Sequence, residues 1–332
     1  MTDVRPYSVV ASAHANVALV KYFGKRDTVL NLPAAPSVSI TLKPLNTVTR
    51  LGFADGDADV VLVQNELADE KVAHRISEYL KLFKKMSGIA SAVCVHTENN
   101  FPTAAGLASS ASGFAALAAG AAALYDLRFT ESELSALARR GSGSAARSVC
   151  GGYVIWKKGE RSDGSDSHAQ CIAPPEHWDL RVLVGVTTTG PKAVGSTQAM
   201  EQTRTTSPYY GAWIDRTHEA AREAVDAIEK RDFEKLGDVT EQSALGMHAA
   251  MMAAQPPIVF LKGTTLEVFH LTRQLRKNGV GAYFTCDAGP QPKILCQAQD
   301  AAEIEAQLRG FPGILDVIHC VPAGGVTVQR ID

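Results

Sequence analysis

Apolar and polar positions repeat every two residues in the first part of this chain and every three to four further on. Ser37–Leu42 alternates as a half-buried strand, and Thr47–Phe53 and Asp59–Gln64 continue the pattern around the turn cluster GFADGDAD. Glu70–Lys85 sets Val72, Ile76, Tyr79, Leu80 and Phe83 at helical spacing, and Ala92–Thr97 is another short strand. The uncharged run Ala104–Tyr125 predicts a buried helix that starts near Leu107–Ser110. A second helix is expected over Glu131–Arg140, then a glycine-serine turn, a strand at Tyr153–Lys158 and a polar, flexible loop at Asp163–His168. Leu180–Thr187 is strongly β-like. From Ser196 to about Asn278 the pattern is helical, with a break at Gln255-Pro256-Pro257. Strands return at Gly281–Cys286, Pro292–Gln297 and Asp316–Val321. Strands first, helices second and a small mixed end predict an α+β protein in two lobes, residues 1–185 and 186–332.

Composition narrows the picture. At 332 residues the chain is longer than one core usually serves, which agrees with two lobes. Ala104–Tyr125 is mostly Ala, Ser and Gly, too weakly apolar to favour a bilayer, so a buried helix is the expectation rather than a membrane span. A formal net charge of −2 leaves no electrostatic footprint for nucleic acid or an anionic membrane. The six cysteines form no CxxC pair and read as reduced thiols of a cytoplasmic protein. MTDVRPYSVV lacks the basic-then-apolar order of a signal peptide.

Four segments carry candidate chemistry. In NNFPTAAGLASSASG a strand leads through Pro102, Ala105 and Gly106 into a helix beginning at Leu107–Ser110. Unpaired N–H groups of the first turn, beside the hydroxyls of Ser109 and Ser110, form a cradle suited to phosphate, with the two hydroxyls also able to reach magnesium. A serine cap on a core helix is the structural alternative. GSGSAAR (Gly141–Arg147) fits the dinucleotide fingerprint by letter, but it follows a helix-like segment where that fingerprint follows a strand. What remains is a turn lined by Ser142 and Ser144, with Arg147 offering a bidentate fork to a carboxylate or phosphate, or lying as an ordinary surface arginine. NVALVKYFGKRD (Asn16–Asp27) gathers Lys21, Lys25 and Arg26 around a glycine between two β-like segments, whose plain reading is a solvated basic turn. TCDAGP places Asp287 between a strand and a Gly-Pro turn, where most aspartates only cap. No Walker signature occurs, so a P-loop nucleotidase is excluded at the level of motif. Together these segments hold one carboxylate base, several cations and two phosphate-suited loops, the set a phosphoryl-transfer enzyme needs.

In order along nearly the whole chain, NVALVKYFGKRD with LNLPAAPSVSITL, ENNFPTAAGLASSASG, GSGSAARSVCGGY, GSTQAM with TTSP, MHA with PPI, and FTCDAGPQPK resemble the diphosphomevalonate decarboxylase family of the GHMP kinase superfamily. The resemblance implies a two-lobed α+β fold, ATP with magnesium, a homodimer, and an isoprenoid-route reaction yielding isopentenyl diphosphate, ADP, phosphate and carbon dioxide. It implies that Asp287 orients the substrate 3-hydroxyl and takes its proton, that Lys21 stands beside that aspartate, and that Arg147, supported by Asn16, grips the C1 carboxylate. It matches Tyr22, Lys25, Ser142 and Ser144 to the substrate diphosphate. Pro102, Ala105, Gly106, Leu107, Ser109 and Ser110 match the ATP-phosphate loop, and Ser207 matches a serine near the transferred phosphate.

The chain departs from the family pattern at Phe23 for a tryptophan, Ala35 for a serine, Pro208 after Ser207, and Gln291 where asparagine is common. These cluster toward the distal phosphate, so a decarboxylase acting on phosphomevalonate is the nearest rival. A non-catalytic nucleotide-binding relative is the rival from another class.

Overall fold

The computed structural model describes residues 8–101, 109–188, 190 and 194–331. Secondary structure begins with β1 (Val9–Val20), the hairpin of β2 (Lys25–Asp27) and β3 (Leu32–Pro33), and the long β4 (Ser37–Phe53). Next come β5 (Val60–Val63), β6 (Glu66–Leu67), α1 (Glu70–Ser87) and β7 (Val93–Asn99). Three helices follow, α2 (Ser109–Leu124), α3 (Glu131–Gly141) and the single turn α4 (Ala145–Ser148). β8 (Tyr153–Trp156), β9 (Ala169–Ala173) and β10 (Leu180–Val186) precede α5 (Ser196–Thr206), α6 (Tyr210–Lys230), α7 (Phe233–Met252) and α8 (Gly263–Lys277). Last are β11 (Ala282–Thr285), β12 (Lys293–Gln297), α9 (Ala301–Arg309), β13 (Asp316–Pro322) and β14 (Thr327–Arg330). The α+β expectation holds, and the break at Gln255-Pro256-Pro257 falls between α7 and α8.

One sheet runs in the order β11-β12-β10-β13-β4-β7-β5-β6, and β4 also joins β1 with β14 and β8 with β9 to it. Ser37–Leu42 and Thr47–Phe53, expected as two strands, are the two ends of β4. It pairs with β8 over Ser37–Ile40, with β13 at Leu42 and Lys43, and with β7 over Thr47–Phe53. β1 pairs with β4 from Val9↔Leu51 to Val20↔Val38. β2, β3, β6, β9 and β14 escape the pattern reading, and β1 was expected only as a β-like flank of the Lys21 turn. In β1 the stretch Ala11–Asn16 is Ala, Ser, His and Asn, which prefer strands weakly, so pairing with β4 makes the strand rather than local preference. β9 has only its two end residues buried, and β14 is exposed throughout, so neither shows a buried alternation. β14 pairs with β1, bringing the last described residues against the first.

Packing explains the uncharged run. The α2 residues Ala115, Ala116, Ala118, Ala119 and Ala121 lie buried against Ala11, Ala13 and Leu51. A helix apolar on all sides belongs inside a protein. Gly120 is what lets it sit so close, because a Cβ there would stand 2.3 Å from Leu51 Cδ1 and 3.2 Å from Ala11 Cβ. No helix among the described residues is long and apolar enough to cross a membrane. α1 starts at an Asp69 cap on Val72 N–H and buries Ile76, Tyr79, Leu80 and Phe83, whereas Val72 is exposed. α6 and α7 form a hairpin turning at Arg231, and Ala220, Ala224, Leu236 and Val239 cover Leu180, Val182 and Val184. The loop at 163–168 is polar as expected but fastened: Asp166 accepts the N–H groups of Glu160 and Arg161, and Arg139 Nη1 donates to Gly164 O at 2.8 Å.

Candidate active site

The end of β1 and the turn between β11 and β12 meet at an ion cluster. Lys21, the residue after β1, is fixed by its own N–H, which donates to Ser243 Oγ of α7 at 2.9 Å. Its ammonium donates to Ala18 O at 2.6 Å and to Asp287 Oδ1 at 2.8 Å. Lys293, the first residue of β12, places Nζ 3.1 Å from the other oxygen, Oδ2. Both lysine side chains are 1% exposed and the aspartate is 26% exposed, so the carboxylate opens on one side only. Burial works against ionisation of Asp287, but the two ammonium charges outweigh it and hold the carboxyl far below the usual carboxylate range. Burial lowers Lys21 against the pull of Asp287, while for Lys293 burial is opposed by Asp287 together with the nearby Cys286 and Cys320, and the net direction is upward. His248 of α7 is also buried here; desolvation and the Lys21 charge push it down to about 4, so it is neutral near pH 7.

The turn carrying Asp287 is rigidly tied. Gly289 N donates to Asp287 O at 2.7 Å, and Thr265 Oγ1 of α8 donates to Pro290 O at 2.7 Å. Gln291 is 1% exposed; Oε1 accepts from Thr187 N at 2.5 Å and Nε2 donates to Thr188 O at 2.6 Å. The Gln291 departure therefore packs behind the site, tying this turn to the end of β10.

Arg147 sits on α4 and is buried, not a surface arginine. Its Nε and Nη2 both donate to Asn16 Oδ1, at 3.1 and 3.0 Å, and Nη1 donates to Ser37 Oγ at 2.8 Å. Asn16 is held in turn by donating to Ser148 Oγ at 2.7 Å and to Ser144 O at 3.1 Å. Burial lowers the guanidinium to about 10, with Asp287 pulling the other way, so it stays charged at neutral pH.

These groups line one cavity of about 650 Å³. Among its described lining residues are five cations, Lys21, Lys25, Lys71, Arg75 and Arg147, against one carboxylate, Asp287. Such a balance concentrates positive potential and suits a polyanion. Ser109 and Ser110 at the described start of α2, Ser142, Ser144 and Tyr22 also line it. Ser142 Oγ donates to Ser110 Oγ at 3.3 Å and lies 3.4 Å from Ser144 Oγ, joining the two serine segments. Gly143 lets Tyr22 lie against that turn, since a Cβ there would stand 2.4 Å from the phenol oxygen. Burial raises the Tyr22 phenol well above its ordinary range, which keeps it a neutral donor. Lys25 Nζ donates to Asn31 Oδ1 at 2.6 Å.

The sequence-derived residues thus converge, with two qualifications. Pro102, Ala105, Gly106 and Leu107 lie outside the described residues. Ser207 follows the last residue of α5 and is not among the cavity lining, whereas Ser196 and Thr197, at the other end of the helix about 15 Å away, are. Ser196 and Thr197 of GSTQAM, His248 of MHA and Lys293 of DAGPQPK lay within family-like motifs without a role assigned to them, and Lys71, Arg75 and Ser243 lay outside every motif. Lys71 and Arg75 are four apart on α1, so one face presents both, and helical periodicity was a signal for that pair.

Residues 13–169 match the family described as diphosphomevalonate decarboxylase-like N-terminal domain, and residues 182–321 match the mevalonate 5-diphosphate decarboxylase C-terminal domain. The chain belongs to the diphosphomevalonate decarboxylase family. It is 39% identical to the diphosphomevalonate decarboxylase of Ganoderma lucidum over 98% of this chain and 88% of that protein. The mevalonate diphosphate decarboxylase of Staphylococcus aureus superposes with a TM-score of 0.92 at 36% identity, over 97% of this chain and 98% of that one. A further decarboxylase structure of this family, solved in complex with MVAPP, AMPPCP and magnesium, superposes with a TM-score of 0.91 at 34% identity, over 98% and 99% of the two chains. The two-lobed GHMP kinase-like architecture expected from sequence is therefore the fold of this diphosphomevalonate decarboxylase family member.

Proposed function

We propose that this chain catalyses ATP-dependent decarboxylation of (R)-5-diphosphomevalonate to isopentenyl diphosphate, ADP, phosphate and carbon dioxide. The observation that carries the reading is the ionised Asp287 carboxylate in the same cation-rich cavity as the buried Arg147–Asn16 clamp. Asp287 accepts a hydrogen bond from the 3-hydroxyl and aligns its oxygen for in-line attack on the γ-phosphoryl group, taking the proton as the O–P bond forms. Lys21 offsets the negative charge that gathers on the oxygens. Arg147 holds the C1 carboxylate while the new 3-phosphate departs; the C1–C2 electrons then flow to the electron-poor C3 and carbon dioxide leaves. Tyr22, Lys25, Ser142 and Ser144 hold the diphosphate. The cations Lys25, Lys71 and Arg75 support a diphosphate over the monophosphate of the nearest rival reading.

Among the described residues no group of three or more His, Cys, Asp or Glu is arranged for a metal. Hydroxyl and phosphate oxygens with retained waters suit magnesium, which fits entry as MgATP beside Ser109 and Ser110. Magnesium supplies charge neutralisation on the phosphates, and the protein supplies position. We further infer that residues 1–185 form the nucleotide-binding lobe and 186–332 the lobe bearing Asp287. The family resemblance supports a homodimer, and six scattered cysteines with no CxxC pair support a reducing, cytoplasmic setting.

The test is ATP-dependent carbon dioxide release from mevalonate diphosphate and from phosphomevalonate. Release with the diphosphate is expected to dominate; preference for the monophosphate selects the rival, and ATP binding without release from either selects a non-catalytic protein. Ser109→Ala and Ser110→Ala separate a phosphate cradle from a helix cap. Weaker MgATP use is expected with little change in melting temperature, whereas lost caps cost about 1 kcal/mol of stability and leave nucleotide affinity alone. Normal kinetics with lowered melting in both variants would make this end of α2 only a capped core helix.

A further inference from the structure

Lys293 has no part in the chemistry described so far, and it does not line the cavity. It is nevertheless a lysine at the start of a strand whose first four residues are buried, 1% exposed, and Nζ makes no hydrogen bond to any other described residue besides its ion contact with Asp287. A buried ammonium is costly to desolvate and is kept only beside an opposite charge. Packing alone would favour an aliphatic residue at this position.

We infer that Lys293 is a positioning residue for the reaction: it clamps Asp287 Oδ2 from behind, keeps the carboxylate ionised and oriented, and leaves Lys21 with uncompensated positive charge to present to the cavity. The inference rests on the assignment of Asp287 given above. The geometry supports a division of labour. Lys21 reaches Oδ1 from the cavity side, anchored on Ala18 O, while Lys293 reaches Oδ2 from β12. With Lys21 alone, the pair would be neutral and the ammonium wholly engaged by the carboxylate. With Lys293 the three groups carry a net positive charge, and the member that faces the cavity is Lys21. The charged and titratable groups facing Asp287 are Lys21 from the end of β1, Lys293 from β12, Arg147 from α4, His248 from α7 and the adjoining Cys286 thiol. His248 is neutral near pH 7, and Arg147 is engaged by Asn16 and Ser37. Among the described residues direct ion contact is therefore confined to the two lysines, and removing Lys293 leaves the burial effect opposed by one lysine instead of two.

The experiment is Lys293→Met, which keeps volume and removes charge. The expected loss in kcat is about tenfold near pH 8, and the wild-type to variant ratio grows at least about threefold further by pH 5, because the carboxylate begins to protonate within that range. Taking the ratio cancels titration of the substrates' own phosphates. Melting temperature is expected to fall, because Asp287 loses one of its two buried partners, so the growth of the ratio toward low pH, and not stability, separates positioning from packing. A ratio flat from pH 5 to pH 8 overturns the inference. Wild-type protein supplies a second check that needs no variant: the ¹³C-carboxyl signal of Asp287 must remain that of the ionised form down to pH 4, and titration above that point also overturns it. If Asp287→Asn retains activity, the assignment of Asp287 itself falls; a flat ratio with Asp287→Asn inactive removes only the role given to Lys293.

Discussion

Asp287→Asn is expected to abolish release of both phosphate and carbon dioxide while nucleotide still binds. Asparagine has the same shape but offers no negative oxygen to the 3-hydroxyl. The change also leaves Lys21 and Lys293 without their shared counter-charge in a buried place, 2.8 and 3.1 Å from the substituted group. The hydroxyl then loses both its acceptor and the partner that sets its direction toward the γ-phosphoryl group. A loss of at least about a thousandfold in kcat is expected, roughly 4 kcal/mol of transition-state stabilisation. Melting temperature should fall as well, because breaking a buried ion cluster from one side strands the remaining charges. The measurement is single-turnover formation of ADP and carbon dioxide by a variant shown to be folded. Activity within tenfold of wild type would remove Asp287 from its proposed role.

Arg147→Lys should be nearly as harmful, although it preserves charge. The guanidinium spends two of its N–H groups on Asn16 Oδ1 and one on Ser37 Oγ, and those bonds fix its plane. Further N–H groups remain for a carboxylate held through two parallel bonds, an arrangement an ammonium on a flexible stem lacks. Lysine would also leave Asn16 Oδ1 and Ser37 Oγ short of donors in a buried setting, where an unmet polar group is costly. Because the C1 carboxylate must be aligned with the breaking C1–C2 bond, a small misplacement is amplified in rate. A loss in kcat/KM of about a hundredfold or more is expected, with affinity for a non-hydrolysable ATP analogue little changed. Full activity would place the carboxylate clamp elsewhere in the cavity.

Much of this was legible before any coordinates. The apolar spacing of Glu70–Lys85 and the uncharged α2 run carry their helices because a three-to-four-residue repeat is local information. The glycines, serines and charged residues of YFGK, GSGSAAR and DAGP mark turns and ionisable groups, so Lys21, Arg147 and Asp287 were nameable from chemistry and family likeness. β1 was legible only as a β-like flank of the Lys21 turn, because the Ala, Ser and Asn residues of its first half have little preference of their own and β4 supplies what they lack. Ser196 was hidden by the nearby Ser207, since only the helix between them shows which end lines the cavity.

By itself the sequence determined the alternation of element types, the turns that punctuate them and the stock of acids, cations and hydroxyls. It did not determine which of these groups would touch. Lys21 and Asp287 stand 266 residues apart, and Asn16 and Arg147 stand 131 apart. Lys21 and Asp287 meet where the end of β1 reaches the turn between β11 and β12, and Asn16 and Arg147 meet because α4 packs on β1. Lys293 shows the same division most sharply. In the sequence it is one lysine after a Gly-Pro turn, and exposure is the usual fate of lysine. The tertiary structure buried it against Asp287 because β12 is covered on both faces, and in so little water an ion is retained only beside an opposite charge.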